Sequence, residues 1–395
     1  MLPIIVEKRQ HLADYENMYE RYLNLKTPMK KKSHFLFGPR ATGKSWLIKH
    51  DLPKAQVFDL LNTTTHDRFL RRPAALAEEV TSDVVVIDEI QKLPRLLDEV
   101  HRLIEERGLR FLLTGSSARK LKHGGANLLA GRARSLQLFP LTSQELTDFD
   151  LLKYCRYGGL PLIYQSDAPW QDLKEYVHLY IKEEVTAEAI VRRVDHFARF
   201  LDVIGQTSGE ELNYQQIASD AGVPPRTVAG FVEVLKDTLL AFELEPYKKT
   251  KKRKATSKSK IFMFDVGVAN YLSGRKEILF RSESFGKAFE HFIIQEIRAY
   301  IGYNQIDEAL MYWRTVGGQY EVDCLVGQQV ALEIKGADTF NEKMLVGLRA
   351  LKDESKFKKY ILVSRDPVRR TIDGIEVLPF QTFLKELWQG GLITA

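Results

Sequence analysis

The sequence predicts an α/β fold: a parallel sheet in the amino-terminal third, a helical middle, and a second α/β unit at the carboxyl end. Three observations predict it. Short apolar strands alternate with helical stretches as far as Pro140, the pattern of a parallel sheet covered on both faces. Long helical periods then run to about Leu240. From Glu283 a helix is again followed by strands. A chain of 395 residues is too long for one core, and no internal repeat is apparent. Domains are expected over 1–145, 146–280 and 281–395.

Taken in order, residues 1–32 read as a helical lead-in, with Tyr15, Met18, Tyr19, Tyr22 and Leu23 at helical spacing before Lys30-Lys31-Lys32. The strands of the first unit are His34–Phe37, Gln56–Leu60, Val84–Asp88, Arg110–Thr114 and Ser135–Phe139. In the middle, Asn213 caps a helix over Tyr214–Ala221, Gly222 makes a turn, and Pro224-Pro225 open a second helix. Val228, Phe231, Val232 and Leu235 form one apolar face of that helix. Two strand-like runs, Leu239–Leu244 and Ile261–Asp265, flank a lysine-rich segment. The last unit shows a helix over Phe285–Tyr300 and strands over Ala309–Arg314, Tyr320–Val326, Gln329–Lys335 and Lys359–Val363.

Composition excludes several classes. With 44% hydrophobic and 28% charged residues, wholesale disorder is excluded. No apolar run is long enough to span a bilayer, and the first residues do not form a signal peptide. Cys155 and Cys324 are lone, so neither a disulfide framework nor a zinc-finger pattern arises, and a reducing cytoplasm is the expected location. The formal charge of +6 is concentrated in one place. Lys248, Lys249, Lys251, Lys252, Arg253, Lys254, Lys258 and Lys260 fall together without an acid among them. Removing those eight from 58 basic residues leaves 50 against 52 acidic ones, a body of charge −2.

The segment Gly38-Pro39-Arg40-Ala41-Thr42-Gly43-Lys44-Ser45 matches G-x-x-x-x-G-K-[ST], between an apolar strand and a helix. Glycine lets backbone N–H groups close around phosphate oxygens, and the helix start adds partial positive charge. Lys44 is expected on the β- and γ-phosphates of ATP and Ser45 on Mg²⁺. A second strand, four β-branched residues long, delivers Asp88 and Glu89 at its carboxyl end, where ligands sit in open α/β sheets. Asp88 is expected to hold Mg²⁺ and Glu89 to polarise the attacking water. A third strand ends in Thr114-Gly115-Ser116-Ser117, placing Thr114 to sense the γ-phosphate. Here the chain resembles AAA-type P-loop ATPases. That resemblance implies a finger arginine from a neighbouring subunit, with Arg132 and Arg134 as candidates, and hence a homo-oligomer through the ATPase domain. Solvated or purely structural arginines are the alternative.

The two helices joined at Gly222, followed by a hairpin, fit a helix-turn-helix with a wing. Cations on a mobile wing tip suit a phosphate backbone, DNA more than RNA; a solvated loop is the alternative. Farther on, Asp323, Glu333 and Lys335 form D-x₉-E-x-K. Residues two apart on a strand share a face, so Glu333 and Lys335 point together while Ile334 packs inward. If the flanking strands pair as a hairpin, Asp323 lands near Glu333. Glu290, on the preceding helix, is a third carboxylate. Such a set can bind Mg²⁺ through Asp323 and Glu333, with Lys335 near the reacting phosphate. It resembles the restriction-endonuclease-like nuclease superfamily, whose pattern is an upstream Glu, an Asp, then Glu-x-Lys.

The series as a whole is similar to a prokaryotic family of AAA-type ATPases that join a P-loop domain, a winged helix and a C-terminal nuclease-like domain. The carrying residues are Gly38–Ser45, Asp88-Glu89, Thr114-Gly115-Ser116, Gly131-Arg132, Gly158-Gly159-Leu160-Pro161, Phe264-Asp265-Val266-Gly267 and Glu321-Val322-Asp323. The resemblance implies ATP binding and this domain order, but its basic run is shorter than the one here. The expected function is a cytoplasmic, Mg²⁺-dependent ATPase acting on nucleic acid, with a metal-dependent nuclease site as its further possibility. Two alternatives stay open: a regulatory ATP switch with a silent nuclease fold, and a DNA-binding regulator whose ATP state controls occupancy.

Overall fold

The computed structural model describes residues 19–116, 129, 131–181 and 194–394. Five strands form the first sheet: β1 (Ser33–Phe37), β2 (Gln56–Asp59), β3 (Val84–Asp88), β4 (Arg110–Gly115) and β5 (Ala133–Gln137). All pair in parallel, in the order β2-β3-β4-β1-β5. β4 thus lies between β1 and β3, and the three carboxyl ends come level: Phe37 lies beside Gly115, and Ile87 beside Leu113. Val85, Val86, Ile87, Leu112 and Leu113 are wholly buried, as expected of central strands covered on both faces. β5 starts two residues earlier than expected and leaves Leu138 and Phe139 beyond its end.

Of the helical lead-in, Tyr15 and Met18 lie outside the described residues; in the described part Tyr19, Tyr22 and Leu23 belong to no helix, and a 3₁₀ turn, Pro28–Lys30, precedes β1. Long-range contacts outweigh helical propensity here. Arg21 is buried and paired with Glu145 at 2.9 Å. It also donates to the carbonyls of Thr42 (2.5 Å) and Phe139 (2.7 Å) and to the Tyr303 hydroxyl (3.0 Å).

In the middle, Asn213 caps the helix Tyr214–Ala221 by accepting from the Gln216 N–H, Gly222 turns in the left-handed region, and the helix Pro225–Asp237 follows. The strands are β6 (Glu210–Glu211), β7 (Ala241–Pro246) and β8 (Lys260–Met263), with β8 antiparallel to both others. Asp265 explains why two short motifs a hundred residues apart go together. Its carboxylate accepts from the N–H groups of Gly267 (2.9 Å), Val268 (3.1 Å) and Gly159 (2.8 Å). A Cβ on Gly158, at φ +78°, would collide with that carboxylate.

The carboxyl-terminal unit begins with the helix Glu283–Tyr303 and continues through β9 (Leu310–Arg314), β10 (Glu321–Val326), β11 (Val330–Lys335), β12 (Lys359–Ser364), β13 (Arg370–Ile372) and β14 (Ile375–Pro379) to the helix Phe380–Trp388. β9, β10 and β11 are antiparallel, whereas β11, β12 and β14 run parallel. β7 pairs in parallel with β9, so one sheet of nine strands crosses the boundary expected near residue 280. The helix Glu283–Tyr303 is buried around most of its circumference, which makes it the centre of the largest core.

That helix carries a buried carboxylate with a titratable consequence. Glu296 accepts from the Ser143 N–H and hydroxyl and from the Trp388 indole, each at 2.7 Å, yet burial raises its pKa to about 7. The folded chain therefore keeps a proton that the unfolded chain releases near its ordinary value of 4.5, and this group's contribution falls as pH rises through that window. Burial lowers His291 to about 4, so its contribution changes in the opposite direction, falling as pH drops below 6.5. Glu296→Gln should flatten the decline of melting temperature between about pH 5 and 8 by one proton's worth. Parallel curves for the variant and the wild type would refute this.

Candidate functional site

Two clusters contain the expected site residues. The first is the loop 38–45, at the carboxyl end of β1. Its form follows from its glycines: a Cβ on Gly38 would sit 2.6 Å from the Leu138 carbonyl, and Gly43 adopts φ +96°. Ala41 also takes a left-handed φ of 62°, and the Thr42 hydroxyl ties the turn by donating to the Pro39 carbonyl at 2.8 Å. Lys44 begins the helix Lys44–Asp51 and is 7% exposed. Its ammonium donates to the carbonyls of Gly38 (2.6 Å) and Pro39 (3.0 Å). Ser45 beside it is exposed, and the Arg40 carbonyl accepts from Tyr176 of the middle region at 3.1 Å.

Asp88 ends β3 beside Thr114 of β4, and the Thr114 hydroxyl donates to the Asp88 carboxylate while accepting from the Glu89 N–H at 3.3 Å. Glu89 follows at φ 59°, a left-handed position that turns its buried side chain back towards the strand ends. No motif singles out Gln91, whose amide donates to the Glu89 carboxylate and, at 3.1 Å, to Ser116. Gly115 leaves room for that amide. Ser117 lies outside the described residues. Arg132 and Arg134 are at the far end of the sheet: Arg134 is level with His34, at the start of β1, and Arg132 pairs with Glu105. Neither is placed at the phosphate loop of its own chain.

The second cluster lies on the nine-stranded sheet. β10 and β11 form the expected hairpin, with Cys324 opposite Leu332, which brings Asp323 level with Glu333. Lys335 pairs with Glu333 at 2.6 Å and Asp323 at 3.4 Å, and Asp323 also accepts from the Ile334 N–H at 2.8 Å. Glu333 is buried, and desolvation reinforced by Asp323 drives its pKa well up. Glu290 joins from its helix. Burial, opposed by Lys260 and reinforced by Asp323, raises it to about 7.

Lys260 is corrected. It was expected on the wing tip with the other cations, but it is 4% exposed and pairs with Glu321 at 2.6 Å and Glu290 at 3.3 Å. The rest of the basic segment is no mobile tip either. Glu354 accepts from the N–H groups of Lys251 (2.8 Å) and Lys252 (2.7 Å) and from the Arg253 guanidinium (2.8 Å). Val316 donates its N–H to the Lys254 carbonyl at 2.9 Å, and Thr256 donates to that of Arg314 at 2.8 Å. Lys248, Lys249, Lys251, Lys252, Lys254 and Lys258 remain exposed on this fixed frame. Sequence spacing placed neither Lys260 among the carboxylates nor Arg21 beside Glu145, because these partners are remote in the chain.

Three family models match successive stretches of the chain. Residues 30–147 match a family model described as an AAA domain. Residues 148–278 and 285–383 match two models described as domains of unknown function, DUF8612 and DUF4143. A Mycobacterium tuberculosis protein described as uncharacterised is 25% identical over 319 residues, 77% of this chain and 70% of that one. Another uncharacterised protein, from Methanocaldococcus jannaschii, is 24% identical over 332 residues, 75% of this chain and 72% of that one. A signal-transduction ATPase with a tetratricopeptide-repeat sensor from Pyrococcus horikoshii covers 74% of this chain and 50% of its own at 12% identity. Its TM-score of 0.21 is too low to bear on the fold. No described helix is long and apolar enough to cross a membrane. The sheet order, the phosphate loop and the family match together make residues 30–147 an AAA-type, ATPase-like domain.

Proposed function

We propose that this chain is a cytoplasmic, Mg²⁺-dependent ATPase that acts on nucleic acid, DNA before RNA. The observation that carries the ATPase reading is the loop 38–45, whose Gly38 leaves no room for a side chain and whose Lys44 ammonium rests on two loop carbonyls. These residues fit a nucleotide: the cradle supplies N–H donors, and Lys44 brings a cation to the loop carbonyls of Gly38 and Pro39. Ser45 and Asp88 are oxygen donors of the kind Mg²⁺ prefers and would hold it. Bound Mg²⁺-ATP supplies the γ-phosphoryl group and neutralises part of its charge. Lys44 exchanges its loop carbonyls for phosphate oxygens. Glu89 orients the attacking water once Gln91 releases its carboxylate, and Thr114 fixes Asp88. Arg132 or Arg134 would act on a neighbouring copy in a homo-oligomer.

Nucleic acid enters through the six exposed lysines of 248–258, which a pinned backbone presents on one surface. Contact with phosphates releases counterions, so binding should weaken steeply with salt. Replacing those six lysines with glutamine should flatten the plot of log affinity against log salt by several units. An unchanged slope would refute the basic-surface reading.

The carboxylates of the second cluster do not fit a metal as they stand. The carboxylates of Asp323, Glu333 and Glu290 are each engaged by an ammonium, and among the described residues no group of three or more metal-ligating side chains is arranged to hold an ion. No cleavage step follows from them in this arrangement. The same observation favours a second reading, an ATP switch whose nuclease-like fold is silent.

A further inference from the structure

The second cluster is built from two parts of the chain. Glu290, Glu321, Asp323, Glu333 and Lys335 come from the helix Glu283–Tyr303 and the β10–β11 hairpin, whereas Lys260 comes from β8 of the middle region. β8 is held in register on both sides: Lys260 lies opposite Glu211 of β6 and Leu244 of β7. Its side chain crosses the face of Tyr312, with the ammonium 5.3 Å from the ring centre. The Tyr312 hydroxyl lies 2.5 Å from the Lys258 carbonyl and 3.0 Å from Glu211, which fixes the stem of the strand. The ammonium thus enters the cluster from β8, whereas that of Lys335 comes from β11.

Charge explains why it stays there. Four carboxylates are gathered in a largely buried site, and a buried charge without a partner is strongly unfavourable. Lys335 compensates Asp323 and Glu333; Lys260 compensates Glu290 and Glu321, with Arg314 at 3.5 Å from Glu321. A divalent ion among the same oxygens would sit against the Lys260 ammonium, and the two cations would repel each other with little solvent between them.

We infer that Lys260 is the resident counter-cation of this carboxylate site, holding the place between Glu290 and Glu321 that a divalent ion would take. The site therefore takes up no divalent metal while β8 stays in register, and the middle region decides whether the carboxyl-terminal unit can be loaded. This inference rests on reading the cluster as a metal-dependent phosphodiester site.

Mn²⁺ titration of the full chain without nucleotide, followed by electron paramagnetic resonance, tests it. Wild type should show no site at Asp323, and Lys260→Met should show one, at least tenfold tighter than any wild-type binding. Adding Asp323→Asn to Lys260→Met should abolish that site. Lys260→Gln removes the charge, keeps every carboxylate and leaves an amide able to donate to Glu321, so it reports the same gain if Lys260→Met does not fold. Wild type binding Mn²⁺ as tightly as the Lys260 variants, at a site lost in Asp323→Asn, would overturn the role of Lys260 and leave the metal-site reading standing. Absence of binding in every variant would overturn both.

Discussion

Replacing Lys44 with alanine should lower ATP turnover by at least about a hundredfold, the scale on which one preorganised charge acts on a developing negative charge. The change also acts on the loop itself. Lys44 is buried, and its ammonium satisfies the carbonyls of Gly38 and Pro39. Leaving buried acceptors without a donor costs about 1–3 kcal/mol, so a modest fall in melting temperature should accompany the kinetic loss. Phosphate release at saturating ATP, beside a melting curve for each protein, separates the two effects. Wild-type turnover in a folded Lys44→Ala protein would overturn the assignment of the loop.

Arg21→Ala should produce the largest loss of stability. The guanidinium pairs with buried Glu145 and reaches the phosphate loop at Thr42, the segment after β5 at Phe139 and the last turn of the helix Glu283–Tyr303 at Tyr303. Removing one partner of a buried ion pair costs about 3–5 kcal/mol, because the other charge is left behind. A fall in melting temperature on the order of 10 °C is expected for a unit of this size. Thr42 also loses the donor to its carbonyl, so the KM for ATP should rise. Tyr303→Phe keeps the ion pair and removes only the hydroxyl, and should cost far less. If Arg21→Ala melts with the wild type, the cluster does not hold these elements together.

Local signals were legible in the sequence. The phosphate loop could be read because two glycines five residues apart and a lysine at a helix start are constraints within eight residues. Asp323, Glu333 and Lys335 could be read because strand periodicity and one short hairpin bring them together. What could not be read depends on contacts between distant segments. Lys260 appears as one more cation of a run until Glu290 and Glu321 are folded against it. The aromatic spacing of the lead-in resembles a helix, but in the described part Arg21 is anchored to residues up to 282 positions away. The strands β13 and β14 were missed, along with the closing helix. Gln91 carried no motif at all, and its position follows from a left-handed Glu89 that sequence alone does not specify.

The nine-stranded sheet passes from the middle region to the carboxyl-terminal unit where β7 meets β9. Only two register pairs, Glu245 with Met311 and Pro246 with Tyr312, make that parallel seam, and proline has no N–H to give to it. The Tyr247 N–H continues it to the Tyr312 carbonyl at 2.7 Å, and farther on Thr256 bonds to Arg314 and Val316 to Lys254. Mechanically the sheet is two plates joined along a narrow seam. Lys260 is carried by one plate and its carboxylates by the other, so a small tear along that line would pull the lysine out of the site.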